Sequence, residues 1–271
     1  MPNFELHGMR LECLEPFEAA FLARDIGAYF EGPHAAKIAR GDVVLDVGAN
    51  IGLFTAELSH RLNGEVKVLA FEPLPPIYAV LQKNASGIIR GDIQAFPFGL
   101  SGKEATLQFS FFPLMSFLSS SYRDETNVES ETARAAAALG QMIRGGEFMP
   151  WMAKLPRTFL DAFLEGYLKM RMKSEKHTVR VRPLSAVIEE QKIGKIDLLK
   201  IDVEGAEEEV LNGIEDRHWP QIRQIVLELE NYASRAKEVS QRLEGRGLRA
   251  QPKQSESQKA GNCGLIFAAR G

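Results

Sequence analysis

The sequence predicts an α/β fold: a doubly wound, mostly parallel sheet with helices on both faces and one helical insertion. Three observations predict it. Short apolar runs alternate with helix-like segments across short connections, as in parallel strands joined by crossover helices. The run VVLDVGANIGLF (residues 43–54) passes from a strand through Asp46 into a glycine-containing turn and out into a helix. The alternation then stops between about residues 112 and 178 and resumes afterwards.

Residues 13–40 carry Phe17, Phe21, Leu22, Ile26, Tyr29 and Phe30 at helix-like spacing, so residues 1–40 are expected to form an N-terminal helical segment ahead of a domain spanning 41–271. VVLDV (43–47) is β-branched, as suits a strand covered on both faces. TAELSHRL (55–62) reads as a helix and VKVLAFEP (66–73) as the second strand. Pro73, Pro75 and Pro76 open a helix through IYAVLQKNA, since a first turn tolerates proline. IQAFPFGLSG (93–102) reads as a third strand ending in a turn, and EATLQFSF (104–111) as extended. From residue 179, VRVRPLSAVIEEQ gives a short strand and a helix. IDLLKIDVEG (196–205) and QIVLELE (224–230) are strands, each followed by a helix: AEEEVLNGI (206–214) and SRAKEVSQRLEGRG (234–247), the latter closed by glycine. GLIFAAR (264–270) is the last strand.

The interruption at 112–178 contains SSS, DETNVESE, ARAAAALG and FMPWMAKLPRTFLDAFLEGYLKMRMKSEKH. At about 65 residues it exceeds a plain connection, so a mostly helical lid, binding element or dimer surface is expected. Trp151, Phe159, Phe163 and Tyr167 recur at helical spacing, which favours core packing over a substrate wall. Lys169, Arg171, Lys173, Lys176, Arg180 and Arg182 crowd residues 168–183. A solvated face is the first reading of that run; docking of an acidic partner such as a carrier protein is the functional one.

With 271 residues, 45% hydrophobic and 25% charged, the chain has room for one large domain or two small ones. A net charge of -3 and pI near 6.0 give no global pointer to nucleic acid. Cys13 and Cys263 lie at opposite ends of the sequence, with neither metal-ligand spacing nor a disulfide framework, which fits a reducing compartment. The stretch MPNFELHGMRLE has no apolar signal core, and no window approaches the roughly 20 apolar residues of a membrane span. A cytoplasmic protein is expected.

Ligands of an open parallel sheet bind beyond the carboxyl ends of its strands, where strand order reverses. The turn Gly48-Ala49-Asn50-Ile51-Gly52 stands at such an end, where glycine lets backbone approach a ligand and the next helix offers free N–H groups. Glu72 ends the second strand, where an acid holds the hydroxyls of an adenosine ribose. A dinucleotide site wants G-x-G-x-x-G; here the spacing is G-x-x-x-G, with Asp46 two residues ahead. That carboxylate would repel a pyrophosphate but suits an ammonium group, which an S-adenosyl cofactor carries together with a ribose and a sulfonium. A NAD-dependent oxidoreductase is therefore the weaker enzymatic alternative. A non-catalytic adenosyl-binding module is the alternative from another class, and a helix-starting turn with a satisfied aspartate is the plain structural one.

VVLDVGANIGLFT, AFEPLPPIYAVLQKNA and IDLLKIDVEGAEEEVLNGI together resemble the FkbM-type S-adenosylmethionine-dependent methyltransferases. The likeness covers residues 41–111 and 179–230 and continues more weakly to the end. The segments EPFEAAFLARDIGAYF, WPQIRQIVLE and GLIFAAR resemble members embedded in polyketide and peptide synthases. The resemblance implies a Rossmann-like class I methyltransferase with a seven-stranded sheet. It also implies O-methylation of a hydroxyl on a small molecule, a sugar or a carrier-bound chain. By it, Asp46, Gly48, Asn50, Gly52, Glu72 and Pro73 bind the cofactor, and the turn Phe98-Gly99-Leu100-Ser101, with Gly99 and Leu100, borders the adenine. Tyr29 and Phe30 would wall the methionine end, though an aromatic pair on a helix is more often plain core.

Methyl transfer from a sulfonium is chiefly a positioning task, but a hydroxyl is a poor nucleophile at neutral pH and a general base should help. Candidates are Asp202 and Glu204 at the end of one strand and Glu228 and Glu230 at the end of the next, which should lie side by side. Lys200 precedes Asp202 by two residues and faces the same way, placed to lower its pKa or to anchor a substrate oxygen. Glu204 could equally cap the helix AEEEVL. Many relatives read E-V-H where this chain has Glu228-Leu229-Glu230, so a histidine base is in doubt. Either Glu230 takes the role, or His177 or His218 supplies it from elsewhere, or positioning suffices. Mg²⁺ at a carboxylate cluster is a less favoured alternative, and no metal ligand set is assigned.

Overall fold

A computed structural model describes residues 1–113, 150–171, 175–255 and 262–271, with Ala136, Leu139, Gly140, residues 143–146 and Gln258 between them. The acidic stretch DETNVESE, most of ARAAAALG and Lys173 lie outside the described residues.

The chain opens with a hairpin, β1 (Asn3–Leu6) and β2 (Met9–Glu12), turned by His7 and Gly8 at positive φ. Residues 1–12 are therefore not part of a helical segment as expected. Helix α1 (Pro16–Ile26) follows, continued by one 3-10 turn to Tyr29, and the helix stops ahead of Gly32-Pro33. The central sheet then begins with β3 (Val43–Val47), α2 (Leu53–Arg61), β4 (Lys67–Phe71), α3 (Pro75–Lys83) and β5 (Asp92–Phe96).

The expected third strand, 93–102, is broken at Pro97, which cannot donate to a ladder. Beyond it, β6 (Gly99–Leu100) joins a second sheet with β7 (Ala105–Phe111) and β8 (Glu175–Arg182), in the order β6-β8-β7. Strand β8 was expected from residue 179; it starts earlier and pairs antiparallel with β7 from Phe111↔Glu175 to Ala105↔Val181. Thus the long insertion leaves and re-enters the fold at paired positions of one ladder. Its described part includes α4 (Arg157–Arg171).

The remaining elements complete the central sheet: α5 (Leu184–Glu190), β9 (Leu198–Ile201), α6 (Glu207–Asn212), β10 (Gln224–Glu230), α7 (Tyr232–Gly245), β11 (Arg249–Lys253) and β12 (Cys263–Ala269). The unforeseen β11 carries Pro252 and polar residues, tolerable at a sheet edge. Strand order is β11-β12-β10-β9-β3-β4-β5, with β12 antiparallel to both neighbours. The order reverses between β3 and β9, which is where a ligand crevice opens.

Period-two alternation sorts the core onto two faces. Leu45, Phe71, Leu199 and Leu227 face one side, packed with α5, α6 and α7 through Leu184, Leu211 and Leu243. Val44, Val68, Leu198 and Val226 face the other, packed with Tyr29 and with Phe54 and Leu58 of α2. Burying both faces provides the main driving force for this arrangement.

Candidate cofactor and active site

On the α2 face, a polar row interrupts the apolar one where the strands end. Asp46 of β3 and Lys200 of β9 are direct neighbours in the parallel ladder. Both are buried, with side-chain exposures of 0% and 3%. Lys200 Nζ lies 3.1 Å from Asp46 Oδ1 and 3.3 Å from Asp202 Oδ2, and donates to the Gly48 carbonyl at 2.8 Å. Burial alone would depress its ammonium, but Asp46 and Asp202 outweigh that and hold it above the usual lysine range. Thr55 Oγ1 donates to the other oxygen, Asp46 Oδ2, at 2.7 Å.

The cation at the Asp46 carboxylate is the protein's own Lys200. Lys200 ties β3, the Gly48 turn and Asp202 together. Asp202 stands just past the end of β9, not inside it, with 29% side-chain exposure.

The turn after β3 is shaped by close approach. A Cβ on Gly48 would fall 1.8 Å from the Asp202 carbonyl oxygen, and Gly48 has φ +76°, so glycine is needed for the two strand ends to meet. Gly52, at φ +91°, is buried, and a Cβ there would press on Leu81 of α3 and Ile89. Gly52 thereby lets α2 start close against α3. Asn50, in the left-handed region, donates its N–H to Glu72 Oε2 at 3.2 Å, while Leu74 N–H donates to Oε1 at 2.9 Å. Each Glu72 oxygen keeps a further lone pair for a hydroxyl donor. Burial pushes Glu72 up to about 7, against the pull of those N–H groups and Lys200.

Between the central and second sheets lies a cleft of about 600 Å³, counted to its open mouth. Gly48, Glu72, Pro73, Gly99 and Leu100 line it. Sequence reasoning named all five, at three separate places in the chain. An acid with spare acceptor capacity beside backbone and apolar walls is chemistry that suits an adenosyl group.

At the next strand end the 3-10 turn brings in Tyr29. Its hydroxyl donates to Glu228 Oε2 at 2.9 Å and lies 3.3 Å from Asp202 Oδ2. Burial, then Asp202 and Glu228, raise the phenol well above its ordinary value, so it remains a donor. Burial and the Asp202 charge push Glu228 up to about 8. Glu228 is one of the four acids that stand at these strand ends in the sequence, and the tyrosine that singles it out lies 199 positions away, with no local signal to announce it. Tyr29 also packs edge-on against Phe54 at 5.4 Å, so it is both core and site.

Glu204 takes the left-handed region at φ 53°, followed by Gly205 at φ 105°. It is not the cap of α6: the Gly205 N–H donates to Glu207 Oε1 at 2.6 Å. Glu230 stands one alternation beyond Glu228, opposite Cys263 of β12. The two alternative histidines are elsewhere. Buried His218 contacts Ser185 Oγ at 2.8 Å at the amino end of β10, and His177 packs on Phe111 in the second sheet. Trp151, Phe159, Phe163 and Tyr167 are exposed, contrary to the expected core packing. Leu160, Leu164 and Leu168 form the buried stripe of α4 instead.

The strand order, with a single antiparallel strand beside β10 and a crevice at the β3/β9 switch, makes this a Rossmann-like class I methyltransferase fold. Within that class the sequence profile of the Methyltransferase FkbM domain matches residues 46–250, and the chain belongs to this family of S-adenosylmethionine-dependent methyltransferases. The 31-O-demethyl-FK506 methyltransferase FkbM of Streptomyces tacrolimicus is 34% identical over 235 residues, spanning 85% of this chain and 82% of that one. The AMB antimetabolite synthetase AmbE of Pseudomonas aeruginosa is 38% identical over 191 residues. That match spans 70% of this chain but only 8% of the synthetase. Methyltransferase FkbM from Methylobacillus flagellatus KT, a solved structure, superposes with a TM-score of 0.50 at 13% identity, covering 92% of this chain and 52% of that one, a likeness of fold.

Proposed function

We propose that this chain transfers a methyl group from S-adenosylmethionine to a hydroxyl oxygen of a small molecule, a sugar, or a polyketide or peptide intermediate held on a carrier protein. The observation that carries the reading is the adjacency of two features at one strand switch. They are the cleft lined by Gly48, Glu72, Pro73, Gly99 and Leu100, and Asp202, whose backbone carbonyl abuts Gly48 and whose carboxylate shares the Tyr29 hydroxyl with Glu228. The name of the Streptomyces relative, an O-demethyl compound's methyltransferase, supports oxygen as the acceptor atom. The match inside a synthetase supports a carrier-bound acceptor.

The bound cofactor would supply an electrophilic methyl group on a sulfonium. Glu72 would accept from its ribose hydroxyls, and Gly99 and Leu100 would border its adenine. Asp202, partly exposed, takes the place foreseen for Asp46 in facing the cationic end. Asp46 acts from behind, by holding Lys200. The acids are assigned to proton handling rather than to Mg²⁺ because Asp202 is already committed to Lys200 and Tyr29. Residues 41–271 form the methyltransferase domain in this reading, and the insertion contributes the acceptor side of the site.

Calorimetric titration with S-adenosylhomocysteine and with NAD tests the cofactor. Binding of the first and not the second is expected, and the reverse would overturn the reading in favour of an oxidoreductase. Turnover of hydroxyl-bearing acceptors, free and carrier-bound, tests the reaction. Tight cofactor binding with no methylated product across such a panel would favour a non-catalytic module.

A further inference from the structure

We infer that Glu228, gripped by Tyr29 beside Asp202, is the base that takes the acceptor's proton, and that it is freed for that role when a sulfonium enters. The inference rests on the cofactor reading above.

Geometry comes first. One hydroxyl contacts both acids, at 2.9 Å and 3.3 Å, so the carboxylates are near neighbours, and a phenol has a single proton to give. Among the described residues, the titratable groups facing Glu228 are Tyr29 from the turn after α1, Lys200 from β9 and Asp202 just past its end, Glu230 on its own strand, and Cys263 across the ladder on β12. The cation among them is Lys200, and its contacts are to Asp46, Gly48 and Asp202. Lys200 therefore answers Asp202 directly, and Glu228 is the one left with acidic neighbours. Two carboxylates in such a place do not both ionise readily, so Glu228 carries the proton at neutral pH.

A protonated Glu228 is an idle base. A fixed positive charge arriving in the crevice favours its carboxylate form and expels the proton to solvent. The acceptor's O–H proton then passes to Glu228 as that oxygen bonds the methyl carbon, and the electron pair of the broken carbon–sulfur bond stays on sulfur. The product sulfur is neutral, so Glu228 keeps the proton until the next sulfonium arrives. Over the cycle one proton is released per methyl transferred, which balances the reaction.

The test is proton release without turnover. The chain is titrated at pH 7 with S-adenosylmethionine or S-adenosylhomocysteine, without acceptor, in two buffers of different ionisation enthalpy. Glu72 and the amino acid tail affect both ligands alike, so the difference isolates the sulfonium. S-adenosylmethionine should release more, by up to about one proton per site. Glu228→Gln should abolish the difference. Tyr29→Phe, which removes a bond that favours the carboxylate, should move the release midpoint to higher pH. Equal release by the two ligands, a difference that survives Glu228→Gln, or a midpoint unmoved in Tyr29→Phe would overturn this inference while leaving the cofactor reading intact. Failure of both ligands to bind would overturn the two together.

Discussion

The carboxyl edge of the central sheet and helix α4 treat awkward side chains in opposite ways. At the sheet edge, polar groups are turned inward and answered by one another: buried Asp46 meets Lys200 and Thr55, and half-buried Glu228 meets Tyr29. On α4 the rings of Phe159, Phe163 and Tyr167 stack at i, i+4 spacing in solvent, with Phe159 58% and Tyr167 40% exposed. The difference teaches that topology constrains more tightly than hydrophobicity. A parallel sheet dictates which residues stand at its strand ends, whatever their polarity. A helix with two apolar stripes can pack on either.

Variants break or sharpen this contrast, and removing the buried cation should cost most. Lys200→Met leaves Asp46 charged in a dry site, and chemical denaturation should show a loss of about 3–5 kcal/mol. Adding Asp46→Asn should recover part of it, because the uncompensated charge is gone. On α4, Leu164→Ala should cost about 2–5 kcal/mol by the same measurement, since it empties a packed position. Glu72→Gln should weaken S-adenosylhomocysteine binding by roughly 10–100-fold in calorimetry, the weight of a charged acceptor, with little change in melting temperature. Phe163→Ser, one position from Leu164, should shift stability by no more than about 0.5 kcal/mol. A large loss there would mean that the aromatic stripe packs after all.

The acids also predict a pH response. Glu72 and Glu228 bind a proton more tightly folded than unfolded, being pushed up to about 7 and about 8. Their contribution to stability is full below the unfolded carboxylate range and is lost as pH rises through those folded values. The melting temperature of the ligand-free protein should therefore fall from pH 5 to pH 9, and the double variant Glu72→Gln, Glu228→Gln should flatten the fall.

Much of this was legible in the chain. The strands of the central sheet other than β11 announce themselves as short apolar runs, and QIVLELE has the observed bounds. Gly48 and Glu72 follow from the strand-switch rule as strand-end residues, and both line the cleft. What stayed hidden depends on meetings distant in sequence. Nothing near Tyr29 says that its hydroxyl will reach β10, and nothing in VVLDV says that Asp46 will find Lys200 in register. The hairpin at residues 3–12 is short and polar, and β6 contributes two residues, too few for periodicity to speak.

The pairing of Phe111 with Glu175 sets the terms on which this enzyme can acquire new substrates. The two ends of the inserted segment already lie side by side on adjacent strands, so its length and content can change at a small entropic penalty and without disturbing the ladder. A chain so arranged can exchange the inserted segment as one cassette, while the strands on either side of it are inherited unaltered.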